Sequence, residues 1–311
     1  MKKHVLVIAA LLTFLVASPF SVSMAAQELH LGTSTVGGIY YNLGVPISQV
    51  LNKYIPGIHV TPEITLGTVE NLRLMGQGKM ELGITLSFMA VQASKGIGTF
   101  KEKVPNRTVM HLSPLVNFFM ALESSGIKTH NDLKGKRVNL GQPGGLDRNS
   151  KNLLAAHGMT DRDIKPSVQG IGAGVDALKD GKFDAVIVTV PLANQLLATH
   201  KATIIWPEEA ALDKMVKATP GYGKWLMPAG TVKGVDQARY VPDFGVTLSV
   251  VEKMDADLVY KMTKALVEHL DELKAMFSEY RHVTKEWAAN DMGVPHHPGA
   301  AKYYKEAGLL K

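Results

Sequence analysis

The chain has 311 residues, no cysteine, 46% hydrophobic residues and a formal charge of +6. The lack of cysteine excludes thiol catalysis, iron–sulfur clusters and thiolate zinc sites, and a chain this long can stabilise two modest domains by burial alone. Its lysines are dispersed and not interleaved with aromatics. That pattern predicts an ordinary solvated surface with a slight bias towards anions, and no nucleic-acid groove.

In chain order, Met1-Lys2-Lys3 is a basic start, Val5 to Ala17 is apolar except for Thr13, and Ser23-Met24-Ala25 offers small residues for cleavage. This predicts a cleavable signal peptide over residues 1–25 and a soluble, exported, periplasmic protein, because the apolar run is short for a membrane span. Without those residues the charge falls to +4, since they hold two lysines and no acids.

Glu28 to Gly32 reads as a first strand, Thr33 to Gly38 as a hydroxyl- and glycine-rich loop, and Tyr40 to Tyr54 as a helix with Leu43, Ile47, Val50 and Leu51 on one side. Ile58 to Ile64 is a second strand, placed at an edge by Pro62. Val69 to Leu74 is helical and Leu82 to Leu86 a buried strand. This β-α-β-α-β order predicts a mainly parallel sheet. A second α/β unit starts near Asn117, with strands at Phe118–Leu122 and Arg137–Gly141. A helix then runs from Asp147 to His157 and stops at Gly158. The apolar run Phe183–Val190 predicts a central strand buried on both faces. Lys201 to Lys233 shows mainly loop punctuation. Phe244 to Val251 is a strand, and Asp257 to Phe277 a long amphipathic helix returning to the first unit.

Two distant segments share one design. Val69–Thr85 contains Gly78-Lys79-Met80-Glu81 before its strand, and Val175–Thr189 contains Gly181-Lys182-Phe183-Asp184 before its strand. The pairing predicts two similar α/β domains facing each other, as in a receptor that closes over a small solute.

Candidate binding loops follow the strands, at the sheet edge where open α/β sheets take ligands. Thr33, Ser34, Thr35 and Tyr40 combine hydroxyls with free amides at a helix start, which suits an oxyanion. The glycine spacing is not that of a dinucleotide or P-loop site, and a plain strand–helix connection remains open. Thr68 reads as an N-cap followed by Asn71. Gly145, Asp147 and Arg148 form an opposing loop, in which Asp147 reads first as a helix cap and second as a cleft residue. His296-His297 reads as capping or packing, since no third ligand has suitable spacing. No Ser/His/Asp arrangement assembles, so no catalytic, metal or cofactor residue is assigned.

The order of these loops resembles the TAXI family of solute-binding proteins that serve tripartite ATP-independent periplasmic (TRAP) transporters. The motifs are Leu31–Thr33 with Gly37–Tyr41; Gly67–Arg73; Ser125–Lys128; Asp132–Val138; Pro143-Gly144; Pro228–Thr231; Gly234; and His297–Ala300 with Tyr303-Tyr304. The resemblance implies a type II periplasmic-binding-protein (Venus-flytrap) fold, docking on TRAP permease membrane subunits, and a small carboxylate ligand; a solute-binding protein of an ABC importer or sensor system, or an exported enzyme, on the same fold are the alternatives. Ligand contacts are expected from Thr33, Ser34, Thr35, Tyr40, Thr68, Asn71 and Ser87 on one wall, and from Gly145, Asp147, Arg148 and Thr189 on the other. The domains are expected at 26–117 plus 243–311 and at 118–242, with the cleft between them, in a monomeric non-enzyme. The chain departs from the family at Leu86-Ser87-Phe88, at Gly145-Leu146-Asp147 and near Pro191. Those departures favour a monocarboxylate, or a ligand with an apolar or cationic end, over glutamate.

Overall fold

The computed structural model describes residues 26–143 and 145–311. The expected signal peptide and Gly144 lie outside the described residues.

The first lobe runs β1 (Gln27–Gly32), α1 (Ile39–Tyr54), β2 (Ile58–Glu63), α2 (Thr68–Gly76), β3 (Leu82–Leu86), α3 (Ser87–Lys95) and β4 (Asn106–Ser113). The chain crosses at residues 114–116 to β5 (Asn117–Leu122), β6 (Arg137–Asn139), α4 (Leu146–Ala156), β7 (Lys165–Ser167), α5 (Ile171–Lys179) and β8 (Ala185–Thr189). Then come α6 (Val190–Thr199), β9 (Ala202–Ile205), α7 (Glu209–Ala218) and an antiparallel pair, β10 (Gly223–Met227) with β11 (Arg239–Asp243). Phe244-Gly245 leads back to β12 (Val246–Val251), α8 (Ala256–Glu268), α9 (Leu270–Met276), α10 (Lys285–Ala288) and α11 (Pro298–Glu306).

The two five-stranded sheets have the orders β2-β1-β3-β12-β4 and β7-β6-β8-β5-β9. Both are mixed. In each, a single strand is antiparallel to its two neighbours: β12 in the first and β5 in the second. These reversed strands directly follow the two crossings, so each enters its sheet from the side of the other lobe. β2 is an edge strand, as Pro62 requires, and β8 is central with Ala185 to Val188 fully buried.

The shared Gly-Lys-x-acid design has one physical purpose. Gly78 and Gly181 take φ of 69° and 70° and end α2 and α5. The following acids then reach the neighbouring strand. Glu81 accepts the His30 amide at 2.9 Å at β1, and Asp184 accepts the Arg137 amide at 2.7 Å at β6. Each motif therefore stops a helix and pins the sheet beside it.

Three clusters of buried side chains fill the molecule. One lies between the first sheet and α1, α8 and α11. The second is continuous across both lobes, from Met75 and Phe88 on α2 and α3 to Leu153 and Leu212 on α4 and α7. The third packs α5, α6 and the β10–β11 pair on the other face of the second sheet.

Some expectations change. The helix expected over Asp257–Phe277 is two helices, broken at His269. The break turns Leu270 and Leu273 into the core and stacks His269 on Tyr54 at 3.5 Å. Lys201–Lys233 holds β9, α7 and β10 rather than mainly loops. The helices α3 and α6 start without an intervening loop, so no turn residues announce them. His297 caps α11 by accepting the Gly299 amide at 3.3 Å, in line with its capping assignment.

Candidate functional site

The parallel strands of both sheets end at helix N-termini. In the first lobe β1 feeds α1 and β3 feeds α3; in the second β6 feeds α4 and β8 feeds α6. Unsatisfied amides of a first helical turn carry partial positive charge. At such an edge these amides can meet an anion without any charged side chain.

A cavity of about 510 Å³ lies between the lobes. Ile39 at the start of α1 contributes from the first lobe, and Thr189, Val190 and Pro191 at the start of α6 from the second. The crossing residues Pro114 to Val116 lie between them, and Trp225 on β10 adds an aromatic wall. Asn194 on α6, Thr231 after β10, and Glu279, Arg281 and His282 from the turn after α9 complete the lining. Burial, and then the Arg281 charge, hold His282 below the usual histidine range. Its Nε2 accepts the Arg281 Nε–H at 3.0 Å, which requires an unprotonated ring nitrogen. A larger groove of about 600 Å³ runs between the ends of α1 and α8, but only the first lobe lines it.

The expected site residues divide into groups. Thr33 is fully buried and donates to Glu63 O at 2.7 Å. Asn71 is also fully buried; its amide donates to Thr33 O and Ile84 O at 2.9 Å each, and its oxygen accepts from Thr65 at 2.7 Å. The Ser87 hydroxyl bonds Gly221 O and Phe244 O. These three side chains hold the loops in place through their own polar atoms.

Thr68 is not the N-cap. Gly67, at φ 94°, takes that position, and Thr68 is the first helical residue. Its hydroxyl instead accepts the Leu86 amide at 3.0 Å and meets the Tyr40 hydroxyl at 3.1 Å. Burial pushes Tyr40 up to about 12. In the β1–α1 loop Ser34 is half-buried and Thr35 is exposed. Glycine is favoured at position 38, because a Cβ there would stand 2.9 Å from the Thr35 backbone oxygen.

In the second lobe Gly145 caps α4, and Asp147 reaches back to accept its amide at 3.3 Å. Arg148 lies over the Phe88 ring at 5.8 Å, which brings α4 against α3 across the lobes. Phe88 is 2% exposed and meets Tyr222 edge-on at 5.3 Å. Of the expected residues, Thr189 lines the cavity. Ile39, Val116, Trp225, Arg281 and His282 were not legible as site residues, because nothing local in the sequence joins segments so far apart. Among the described residues no cluster of three His, Asp or Glu is placed to hold a metal, and no helix is long and apolar enough to cross a membrane.

Two α/β lobes joined by paired crossings, with helix N-termini facing a shared cavity, define the periplasmic-binding-protein fold. The chain belongs to the NMT1-like family, which it matches over residues 31–308. Solved structures share the architecture at low identity. The periplasmic sulfonate-binding protein SsuA of a sulfonate ABC transporter, from Methylobacillus flagellatus KT, superposes with a TM-score of 0.58 at 17% identity, over 92% of this chain and 88% of its own. The aliphatic sulphonate binding protein SsuA from Escherichia coli gives 0.52 at 16%, over 90% and 84%. PhnD1 from Prochlorococcus marinus (MIT 9301), in complex with methylphosphonate, gives 0.56 at 10%, over 91% and 99%.

Proposed function

We propose that this chain is a non-enzymatic, extracytoplasmic solute receptor, monomeric and without a cofactor, that captures a small organic solute by closing its two domains. The domains are residues 26–117 plus 243–311 and residues 118–242. The observation that carries this reading is the cavity shared by the N-terminal ends of α1 and α6, one from each lobe. A solute held there touches both lobes, so its binding energy shifts an open–closed equilibrium. Thr33, Tyr40, Thr68, Asn71 and Ser87 support the loops behind the first wall, Ser34 and Thr35 belong to the loop that leads into Ile39, and Thr189 lines the second wall, with Gly145, Asp147 and Arg148 at the neighbouring start of α4. The basic, apolar and small-residue segments of residues 1–25 support export to the periplasm.

The likeness to an ABC-transporter receptor supports delivery to an ABC-type importer better than delivery to a TRAP permease. The ordered TAXI-like motifs favour the second partner, and transport energetics separate the two. A thermal-shift screen of stripped, refolded protein against carboxylates, sulfonates, phosphonates and amino acids tests the receptor itself. One compound class is expected to raise the midpoint with concentration. In reconstituted uptake, dependence on ATP supports the ABC partner and dependence on an ion gradient the TRAP partner. No saturable binding from any class removes the receptor reading.

A further inference from the structure

The lining of the interlobe cavity specifies more than a generic solute. Ile39, Leu115, Val116, Val190 and Pro191 present aliphatic surface to it, and Trp225 presents an aromatic ring. Trp225 is 8% exposed and is held edge-on between His282 at 5.1 Å and Trp287 at 6.4 Å, so its ring is a fixed wall. In the lining, Thr231 donates to Pro228 O at 2.8 Å and the Asn194 side chain bonds Thr231 O and the Lys233 amide, which leaves Thr189 as the lining hydroxyl available to a ligand; the hydroxyls behind the first wall are committed as well. Thr33 donates to Glu63 O, Ser87 to Gly221 O and Phe244 O, and Thr68 is bonded to Leu86 and Tyr40.

The charge on the wall is equally specific. Arg281 and Glu279 are the two charged side chains of the lining, and the neighbouring His282 accepts a bond that needs its neutral form. Arg281 uses its Nε for that bond, which leaves the terminal nitrogens as a paired donor. Such a pair matches two oxygens of one oxyanion. With Glu279 opposing, a second negative charge on the ligand meets repulsion instead of a partner. The loops at the cleft edge are apolar as well: Val36, Ile64 and Leu66 from the first lobe and Val168 from the second are exposed.

We infer that the ligand of this cavity is an amphipathic monoanion, a single carboxylate or sulfonate head on an aliphatic or aryl body, with the head at Arg281 and the body against Ile39, Val190 and Trp225. This inference rests on the receptor reading above and narrows it.

The test is calorimetric titration of the purified protein, after unfolding and refolding to remove carried-over ligand. The probes are acetate, butanoate, hexanoate, phenylacetate and hexanesulfonate, with succinate, glutarate and glutamate as short polar comparators. Affinity is expected to rise by about fourfold per methylene until the cavity is filled, which is the transfer free energy of a buried CH₂ expressed as a ratio. Comparing hexanoate with hexanesulfonate assigns the head. Arg281→Gln, at an exposed position, is expected to weaken every monoanion by about tenfold or more without changing the chain-length slope. Ile39→Ser is expected to flatten the slope while sparing acetate. A ligand-induced change in tryptophan fluorescence that is lost in Trp225→Phe places the body at this wall.

Tighter binding of glutarate or glutamate than of hexanoate, or no dependence on chain length, overturns the amphipathic class and leaves a receptor for polar solutes. Binding of the monoanions undiminished in both Arg281→Gln and Ile39→Ser overturns the location. Failure of every probe here together with every class in the broader screen overturns the receptor reading as well.

Discussion

Asp243 accepts the backbone amide of Leu115 at 2.9 Å, and that bond joins the two passages of chain between the lobes. The same oxygen accepts the Gly245 amide at 2.8 Å, and the Phe244 amide donates to Leu115 O at 3.0 Å. The other carboxyl oxygen stands 3.4 Å from His111 Nε2, and both side chains are almost completely buried. Burial pushes Asp243 up to about 7 and His111 down to about 3. Burial thus favours the uncharged form of both groups at the hinge, with the imidazole neutral and the carboxyl changing its charge near neutral pH.

Asp243→Ala leaves two buried amides without their acceptor. The expected loss is about 2–4 kcal/mol in urea unfolding. Asp243→Asn retains an oxygen acceptor and is expected to recover more than half of that loss. Equal losses in both variants would show that the carboxyl acts through His111 and not through the amides.

Acid sensitivity has a clean reporter in His130. Its ring stacks on His157 at 3.6 Å, and burial followed by the neighbouring His157 lowers it to about 3. A histidine lowered on folding contributes stability that is complete above the unfolded value near 6.5 and is lost as pH falls towards the folded value. Between pH 7 and pH 5 the loss attributable to His130 is about 2 kcal/mol. Asp243, raised on folding, has the opposite sign: its contribution is present below about pH 4 and lost as pH rises through about 7. The difference between the wild type and His130→Leu isolates the histidine, and the variant is expected to lose less stability over that interval. Parallel pH profiles would refute the assignment.

Gly221 cannot carry a side chain. Its φ is 95°, and a Cβ there would lie 2.4 Å from Phe88 Cα, a backbone atom that cannot swing aside. Gly221→Ala is expected to push the β10 loop off α3 and to cost about 2–4 kcal/mol. Gly230→Ala, at φ 76° with no atom within 4 Å of the place a Cβ would take, is the control for backbone strain alone and is expected to cost about 1 kcal/mol. Thermal midpoints of the two variants check the order.

Asp184→Ala removes the bond to the Arg137 amide at 2.7 Å and the ion pair with its guanidinium at 2.7 Å. The Arg137 partner holds the Asp184 carboxyl below the usual carboxylate range. The pair is partly exposed, so the expected cost is about 1–2 kcal/mol, chiefly from the backbone bond. Hydrogen exchange at Arg137 is expected to quicken locally, and an unchanged rate there would deny Asp184 its strand-pinning role.

The chain itself determined whatever depends on neighbours in sequence. Strand and helix periodicity from Glu28 to Leu86, the stops at Gly78 and Gly181, the edge position of Pro62 and the doubly buried strand after Phe183 all rest on contacts within a few residues. The repeated Gly-Lys-x-acid segments even disclosed two like domains. Tertiary structure decided which polar groups were left for a ligand. Thr33 and Ser87 looked like donors until Glu63 O and Gly221 O, 30 and 134 residues away, took their protons. It also decided the cavity wall, where Ile39, Thr189, Trp225 and Arg281 meet from four separate segments. A hydroxyl or an aromatic ring has the same local signature whether it faces a solute or a distant carbonyl, and only the packing of the two lobes distinguishes them.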